Sequence, residues 1–213
     1  VDSDSNVIWP DRQMMIFSRD VLKNNPGVSI IYDVKCSRNL HKWIKDYGGC
    51  PIMWKTGHSF MKSKLKETGA SLAGEMSGHI FFNDNWFGFD DAIYAGARLL
   101  SILADEENVI QFFRDLPDSF CTPEIKLEIK DFSADDLLNR LRNKKLFPRA
   151  SNFYFLDGIR IEYEDGFGLA RLSNTTPVIV FRFEGDSKVA LESIKGDFRN
   201  LLSTIMKNVA LPF

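Results

Sequence analysis

The chain has 213 residues, 44% of them hydrophobic and 26% charged, and its 27 basic against 29 acidic side chains give a formal net charge of −2. This balance is typical of a globular protein with a packed core, and it excludes a disordered tail, a collagen-like chain and a small disulfide-stapled protein. A charge so close to zero provides no electrostatic attraction to nucleic acid or to an anionic membrane, so we expect neither as a partner.

The first half of the chain alternates short apolar runs with amphipathic segments. In chain order the pattern predicts helix, strand, helix, strand, helix, strand, strand and helix, at 10–22, 28–32, 37–47, 51–54, 59–67, 70–74, 79–82 and 90–103. Ser37 and the pair Asp90–Asp91 are suited to begin helices, and Gly69 is suited to end one. Strands and helices that alternate at this spacing predict βαβ units and a largely parallel sheet.

Three chemically capable side chains follow the three parallel strands of this prediction, namely Lys35, His58 and Glu75. Right-handed crossovers place the carboxyl ends of such strands on one edge of the sheet. Ligands of open α/β sheets bind in the crevice outside that edge, so we expect these side chains to share a crevice. Taken singly, a lysine is usually a solvated charge and a histidine is often only packed.

The second half has a different pattern. It predicts a strand, a helix, three strands and a long amphipathic helix, at 125–129, 133–141, 158–163, 168–172, 178–183 and 189–205, with Asp165–Gly166 as a hairpin turn. The fold class is therefore a mixed, largely parallel α/β domain followed by an α+β domain with an antiparallel sheet backed by helices. We place the boundary at Pro117, which gives domains 1–117 and 118–213.

The segment Gly74–His79 contains Glu75, Met76, Ser77, Gly78 and His79. Two glycines allow the backbone to turn sharply, while a carboxylate, a hydroxyl and an imidazole project from it. Such a set suits a polyol such as a sugar. A polar hairpin turn would explain the composition equally well, and the position at a strand end favours function.

A second polar segment joins two strands of the second domain. Arg171 precedes four hydrogen-bonding side chains, Ser173, Asn174, Thr175 and Thr176. Arginine offers a planar fork that matches phosphate oxygens, and hydroxyls with loop N–H groups can complete the shell. We favour an anion site over the alternative, a Ser/Thr-rich turn closed by Pro177. The carboxylate pair Asp90–Asp91 is explained by helix capping.

The three cysteines are odd in number and form no CxxC pair, which favours free thiols in a reducing compartment. Purely apolar runs are far shorter than the roughly 20 residues of a membrane helix. We therefore expect a soluble protein of the cytoplasm.

With these motifs in order and spacing, the chain resembles the C-terminal half of an α-D-phosphohexomutase of the bacterial phosphomannomutase/phosphoglucomutase branch. The matching segments are Asp33–Cys36, Trp54–His58, Gly74–His79, Trp86–Asp91 and Arg171–Pro177. The resemblance implies the third and fourth of four domains, for sugar recognition and phosphate binding. It also implies an enzyme that interconverts hexose 1-phosphate and hexose 6-phosphate through a hexose 1,6-bisphosphate.

The resemblance further implies roles for single residues. Glu75 and Ser77 would hold sugar hydroxyls with His79 nearby, the residues from Arg171 to Thr176 would hold the phosphate that is not reacting, and Lys35 and His58 would lie at the reacting end. The family's serine nucleophile and Mg²⁺ loop would lie upstream, in N-terminal domains of the same enzyme. Without them we expect this chain to be inactive by itself.

Two alternatives stay open. The chain could be a stand-alone sugar-phosphate-binding module, or part of a phosphoglucosamine mutase. Met76 between Glu75 and Ser77 favours the mannose/glucose branch over the latter.

Overall fold

The computed structural model describes residues 1–2, 4–128, 134–205 and 211–213. These residues divide into two units, Val1–Asp118 and Ser119–Phe213. Among the described residues, no helix combines the length and the apolar character that crossing a membrane requires. All three cysteines are described, and none forms a disulfide.

The first unit contains a four-stranded sheet with helices between its strands. Its strands are β1 (Ser29–Asp33), β2 (Cys50–Trp54), β3 (Leu72–Gly74) and β4 (Ile80–Phe82), in the order β2-β1-β3-β4. Its helices are α1 (Pro10–Asn24), α2 (Arg38–Asp46), α3 (His58–Thr68), α4 (Ala92–Ala104) and α5 (Val109–Arg114). Strand β1 is parallel to β2 and β3, and β4 is antiparallel to β3. The predicted mixed, largely parallel sheet is confirmed.

Both faces of this sheet are buried. Ile30 and Tyr32 of β1 join a core cluster with residues of α1, α2, α4 and α5, whereas Ile31 packs with Met61 and Leu65 of α3. Successive side chains of a strand point to opposite faces, so one short apolar strand supplies both layers. The rigid layers hold the carboxyl ends of β1, β2 and β3 on one edge.

Short polar residues and a glycine set the helix ends, as the sequence predicts. The Ser37 hydroxyl accepts the Asn39 N–H at the start of α2, and Gly69 adopts a left-handed conformation at the end of α3 (φ 65°). At α4 only one member of the carboxylate pair is the cap, because Asp91 accepts the Tyr94 N–H. Asp90 instead contacts the ring of His79 and the N–H of Ile80.

The second unit is an antiparallel sheet with helices on one side. Its strands are β5 (Phe120–Cys121), β6 (Ile125–Glu128), β7 (Asn152–Tyr154), β8 (Ile159–Tyr163), β9 (Gly166–Leu172) and β10 (Val178–Gly185). Strands run in the order β5-β10-β9-β8-β7, and β6 also pairs with β10. Helices α6 (Ala134–Leu141) and α7 (Lys188–Ile205) contribute Leu137 and Phe198 to a core with Phe181 of the sheet. The predicted α+β fold is confirmed.

The structure corrects the hairpin turn between β8 and β9. Tyr163 pairs with Gly166, so the turn residues are Glu164 and Asp165 rather than Asp165–Gly166. Gly166 is therefore the first residue of β9. A Cβ at this position would overlap the carbonyl oxygen of Glu184 on β10, which favours glycine there.

Some short elements have no counterpart in the predicted pattern. They are α5, β5, β7 and a 3-10 turn at Lys144–Leu146. Segments of two to six residues are too short for a hydrophobic period to be recognised, and only tertiary pairing defines them. Two predicted boundaries, Ile129 at the end of a strand and Ser133 at the start of a helix, lie outside the described residues.

Candidate functional site

The carboxyl ends of β1, β2 and β3 carry polar residues, as the sequence predicts. Lys35 follows β1, His58 follows β2 as the first residue of α3, and Glu75 follows β3 directly. Lys35 and Glu75 are buried, whereas the side chain of His58 is about half exposed. The edge therefore combines buried charges with an accessible imidazole.

Asp33, the last residue of β1, connects these strand ends. It is fully buried, and one carboxylate oxygen accepts the N–H of Lys35 (3.2 Å) and the N–H of Met76 (3.3 Å). The other oxygen accepts the Thr56 hydroxyl (3.0 Å) and lies 3.7 Å from Lys35 Nζ. One carboxylate thereby fixes the segments that follow β1, β2 and β3 relative to one another.

Glu75 is 2% exposed and only partly satisfied. Its Oε2 accepts the N–H of Gly57 (3.3 Å) and the hydroxyl of Ser77 (3.4 Å), and its Oε1 is buried with no hydrogen-bond partner in the described residues. Burial, and secondarily the charge of Asp33, raises the pKa of Glu75. Glu75 therefore keeps an unused acceptor at the end of β3.

The turn that carries Glu75 is closed by its own backbone. The Glu75 N–H donates to the His79 carbonyl, and the Gly78 N–H donates to the Glu75 carbonyl. Gly78 has φ 96°, which side-chain-bearing residues rarely adopt, and Ser77, Gly78 and His79 are exposed. Gly74 before the turn is equally constrained, since a Cβ there would overlap the sulfur of Met14. The turn therefore projects its polar side chains from a fixed backbone.

His58 and His79 are neighbours, with ring centroids 6.0 Å apart. His79 Nδ1 lies 2.6 Å from Asp90 Oδ2, and His58 Nε2 lies 3.8 Å from the same oxygen. The other Asp90 oxygen accepts the N–H of Ile80 (3.2 Å), which ties the carboxylate to β4. The sequence interpretation of Asp90 as a capping residue is wrong, since Asp91 alone caps α4.

In the second unit, Arg171 lies near the end of β9 and is 4% exposed. Its Nε donates to Asp157 Oδ2 (2.9 Å), while Nη2 is buried without a hydrogen-bond partner in the described residues. Asp157 precedes Gly158, whose φ is 71° and whose close approach to Ala170 excludes a Cβ. The turn thereby brings a carboxylate against the guanidinium and orients its planar fork.

The loop after β9 is organised around one hydroxyl. Ser173 Oγ accepts the N–H groups of Thr175 and Thr176 (each 3.3 Å) and the Thr176 hydroxyl (3.0 Å). Asn174, Thr175 and Thr176 are exposed. The loop is a hydroxyl-rich turn, and the strand before it supplies a buried cation with an unused donor. Both features together suit an oxyanion.

Sequence reasoning missed three residues that organise these sites: Asp33, Asp90 and Asp157. Each is an acidic side chain that orients another polar group across the fold. Asp33 could have been recognised from its position at the end of a parallel strand, but the partner of Asp157 is not evident from spacing. The structure groups Lys35 with Glu75 around Asp33, and His58 with His79 around Asp90.

The donors of these sites do not fit a magnesium ion. Within the described ranges, no group of three or more His, Cys, Asp or Glu side chains is arranged to hold a metal. Oxygen-rich coordination is what Mg²⁺ requires.

This fold and these sites define an α/β unit with polar candidate site residues at parallel strand ends, followed by an α+β unit with a candidate anion site. The chain belongs to the phosphoglucomutase/phosphomannomutase family. The family's alpha/beta/alpha domain III matches residues 9–120 of this chain, and the family's C-terminal domain matches residues 124–201.

Relatives of this family are similar along nearly the whole chain. A phosphoglucomutase of Neisseria meningitidis is 50% identical over 205 residues, which are 96% of this chain and 45% of that protein. A phosphomannomutase/phosphoglucomutase of Pseudomonas aeruginosa is 48% identical over 214 residues, which cover 100% of this chain and 46% of that protein. A crystal structure of a phosphoglucomutase/phosphomannomutase family protein from Burkholderia thailandensis matches this chain with a TM-score of 0.93 at 52% identity. The match covers 100% of this chain and 45% of that protein. The chain thus spans about half the length of the relatives it matches.

Proposed function

We propose that this chain is the substrate-recognition half of a phosphomannomutase/phosphoglucomutase, which interconverts hexose 1-phosphate and hexose 6-phosphate through a hexose 1,6-bisphosphate. The observation that carries the proposal is a shared feature of the two units. Each presents a buried charged side chain, Glu75 or Arg171, with one polar atom held by the fold and another that has no hydrogen-bond partner among the described residues. A sugar hydroxyl complements the atom in the first unit, and a phosphate oxygen complements the atom in the second.

In the first unit, Glu75 accepts hydrogen bonds from sugar hydroxyls, with Ser77 and His79 beside it on the same turn. Met76 and Gly78 shape that turn. The N–H of Met76 donates a hydrogen bond to Asp33, and Gly78 adopts a backbone conformation with positive φ. Because an ionised carboxylate only accepts hydrogen bonds, this contact selects for donors. Lys35 and His58 lie at neighbouring strand ends and act at the reacting end of the ligand.

In the second unit, Arg171 binds the phosphate that is not reacting, and the Ser173–Thr176 loop completes the contact. Nη2 of Arg171 offers donors in a fixed plane, since Asp157 holds Nε of the same guanidinium. A bisphosphate that binds in two orientations needs an anion site that accepts either phosphate. An arginine with hydroxyls meets that need, because it recognises oxygens and not the carbon to which they are attached.

The chemistry requires a second part of the protein. Phosphoryl transfer needs a positioned nucleophile and stabilisation of the transferring charge, which the family resemblance assigns to a serine and an Mg²⁺ loop in N-terminal domains. The relatives carry about half of their length outside the matched region, which supports such a partner. We therefore expect no turnover from this chain alone.

The binding proposal is tested by titrating ¹⁵N-labelled chain with glucose 1-phosphate and following backbone amide shifts. We expect saturable shifts at 74–79 and 171–176, and with inorganic phosphate shifts at 171–176 only. Arg171→Lys keeps the charge but loses the planar fork, so we expect the phosphate Kd to rise at least about tenfold. Arg140→Ala, which removes an exposed arginine of α6, is the matched control and should bind as the parent does.

Turnover distinguishes the proposal from a stand-alone binding module. The chain alone should not convert glucose 1-phosphate, whereas the chain joined to the remaining half of the Pseudomonas aeruginosa relative should. Absence of turnover in the joined protein, with binding intact, would favour a binding module. Faster turnover of glucosamine 1-phosphate than of glucose 1-phosphate would instead favour a phosphoglucosamine mutase.

A further inference from the structure

Asp90 hydrogen-bonds to a histidine ring of the first unit. It lies one residue before the cap of α4, and its two carboxylate oxygens contact different groups. Oδ1 accepts the N–H of Ile80, and Oδ2 lies 2.6 Å from His79 Nδ1. A carboxylate held to a strand by one oxygen has its second oxygen fixed in space.

We propose that Asp90 is a positioning residue that holds the proton of neutral His79 on Nδ1 and leaves the Nε2 lone pair as an acceptor. An ionised carboxylate can only accept hydrogen bonds, so Nδ1 facing Oδ2 at this distance carries the hydrogen. In a neutral imidazole, the other nitrogen is then unprotonated. No group of the described residues is hydrogen-bonded to Nε2, and the side chain of His79 is 48% exposed.

The same oxygen also acts on the second imidazole of the site. Asp90 Oδ2 lies 3.8 Å from His58 Nε2, too far for a hydrogen bond but close enough for attraction to a protonated ring. The ring of His58 also packs edge-on against Phe81, with centroids 5.1 Å apart. Asp90 therefore fixes the tautomer of one histidine and places a negative charge beside the other.

The inference rests on the proposed function for its consequence. A hexose hydroxyl that takes part in phosphoryl transfer loses a proton when its oxygen bonds to phosphorus, and regains one in the reverse step. With Nε2 unprotonated, His79 can accept a hydrogen bond from such a hydroxyl. With the proton on Nε2 it can only donate there. The tautomer thus decides which ligand groups His79 can bind.

The tautomer can be measured on the chain without any ligand, so its outcome is independent of whether hexose phosphates bind. The sequence has three histidines, His41, His58 and His79, and a two-dimensional ¹H–¹⁵N spectrum of ¹⁵N-labelled rings reports which nitrogen carries each proton. We expect His79 in the Nδ1–H form at a pH where the ring is neutral. An Nε2–H form in the parent chain would overturn the inference, and this measurement needs no variant.

Asp90→Asn gives the sharper test. Its amide oxygen can keep the Ile80 N–H, and its NH₂ group then faces His79 Nδ1, which must become the acceptor. We expect the proton of His79 to move to Nε2, so that its two nitrogen shifts exchange character. Unchanged His79 nitrogen shifts in Asp90→Asn would show that Asp90 only anchors β4.

Two controls separate this effect from general disruption. Asp91→Asn alters the adjacent carboxylate, which caps α4, and should leave the His79 tautomer as it is. His41, whose Nδ1 lies 2.7 Å from the Tyr32 hydroxyl, is an internal reference for an intact fold. A change at His79 in Asp91→Asn as large as in Asp90→Asn would overturn the assignment to Asp90.

Discussion

Glu75→Gln tests whether the buried Glu75 carboxylate lowers the free energy of unfolding of the first unit. The ionised side chain has one buried oxygen without a partner in the described part of the chain and the charge of Asp33 nearby, and burial raises the pKa of Glu75. Glutamine has the same shape and keeps an oxygen for the N–H of Gly57 and the hydroxyl of Ser77. It removes the buried charge and puts an NH₂ group in the place of Oε1.

The expected gain follows from these contacts. A buried polar group without a partner costs about 1–3 kcal/mol, more when it is charged, whereas the two bonds that Glu75 accepts are long, at 3.3 and 3.4 Å, and lose only their charge assistance. We therefore expect Glu75→Gln to increase the free energy of unfolding at pH 7 by about 1 kcal/mol, the lower end of that range, because the new NH₂ group also needs a partner.

The pH dependence gives a second readout. Because the pKa of Glu75 is higher in the folded chain than in the unfolded one, the folded state keeps this proton to higher pH. The contribution of Glu75 to stability is therefore largest at low pH and is lost as the pH rises from the ordinary pKa of glutamate through the raised one. At pH 4 the parent side chain is largely neutral, so the advantage of Glu75→Gln should shrink toward zero.

Urea unfolding followed by tryptophan fluorescence measures this effect in the correct unit. All four tryptophans, Trp9, Trp43, Trp54 and Trp86, belong to the first unit, so the signal reports that unit alone. Glu67→Gln, on an exposed glutamate of α3, is the matched control and should change stability by no more than about 0.5 kcal/mol. The reasoning is refuted if Glu75→Gln destabilises the unit at pH 7 or leaves its pH profile unchanged.

Further predictions concern the same unit and use the same fluorescence assay. Asp33→Ala removes a buried carboxylate that accepts several hydrogen bonds, and should lower the free energy of unfolding by about 3 kcal/mol or more; a loss below 1 kcal/mol would contradict its connecting role. Gly96→Ala, in the exposed interior of α4 with nothing within 4 Å of its new Cβ, should raise it by about 0.5–1 kcal/mol. Gly74→Ala, which drives a Cβ into Met14, should lower it by about 1–3 kcal/mol, and a gain would show that the methionine moves aside freely.

The strand ends of the first unit could be predicted because their placement follows from chain order. A strand, a crossover helix and a second parallel strand fix which edge receives the residue after each strand, whatever the side chains are. Lys35, His58 and Glu75 therefore follow β1, β2 and β3 as the pattern predicts. The second unit could be predicted at the level of its sheet and its long helix for a similar reason, since both have clear hydrophobic periods.

The partners of these residues could not be predicted, because they depend on side-chain geometry across the fold. Asp90 and Asp91 are neighbours with the same chemistry, and either could cap α4. The bend of the chain after β4 places Asp91 at the Tyr94 N–H and turns Asp90 toward His79. Likewise Arg171 and Asp157 are 14 residues apart, and the antiparallel pairing of β8 with β9, with Gly158 close to Ala170, brings them together.

An unpartnered buried polar atom does not by itself identify a ligand site. Arg12 Nε and Trp86 Nε1 are also buried without hydrogen bonds in the described residues, yet Arg12 lies within α1 and the ring of Trp86 stacks on Tyr94. The guanidinium of Arg12 donates hydrogen bonds to the carbonyls of Phe113 and Leu116, within the fold.

Glu75 and Arg171 differ in their surroundings, because Glu75 belongs to a turn with exposed polar residues and Arg171 precedes the hydroxyl-rich loop at Ser173–Thr176. Gly57 and Ser77 hold Glu75 Oε2, and Asp157 holds Arg171 Nε. Such an arrangement keeps the unsatisfied atom in place before a ligand arrives, so the ligand does not have to order the side chain. The cost of the unsatisfied atoms falls on the unbound chain, which is why we expect removal of the Glu75 charge to stabilise the fold.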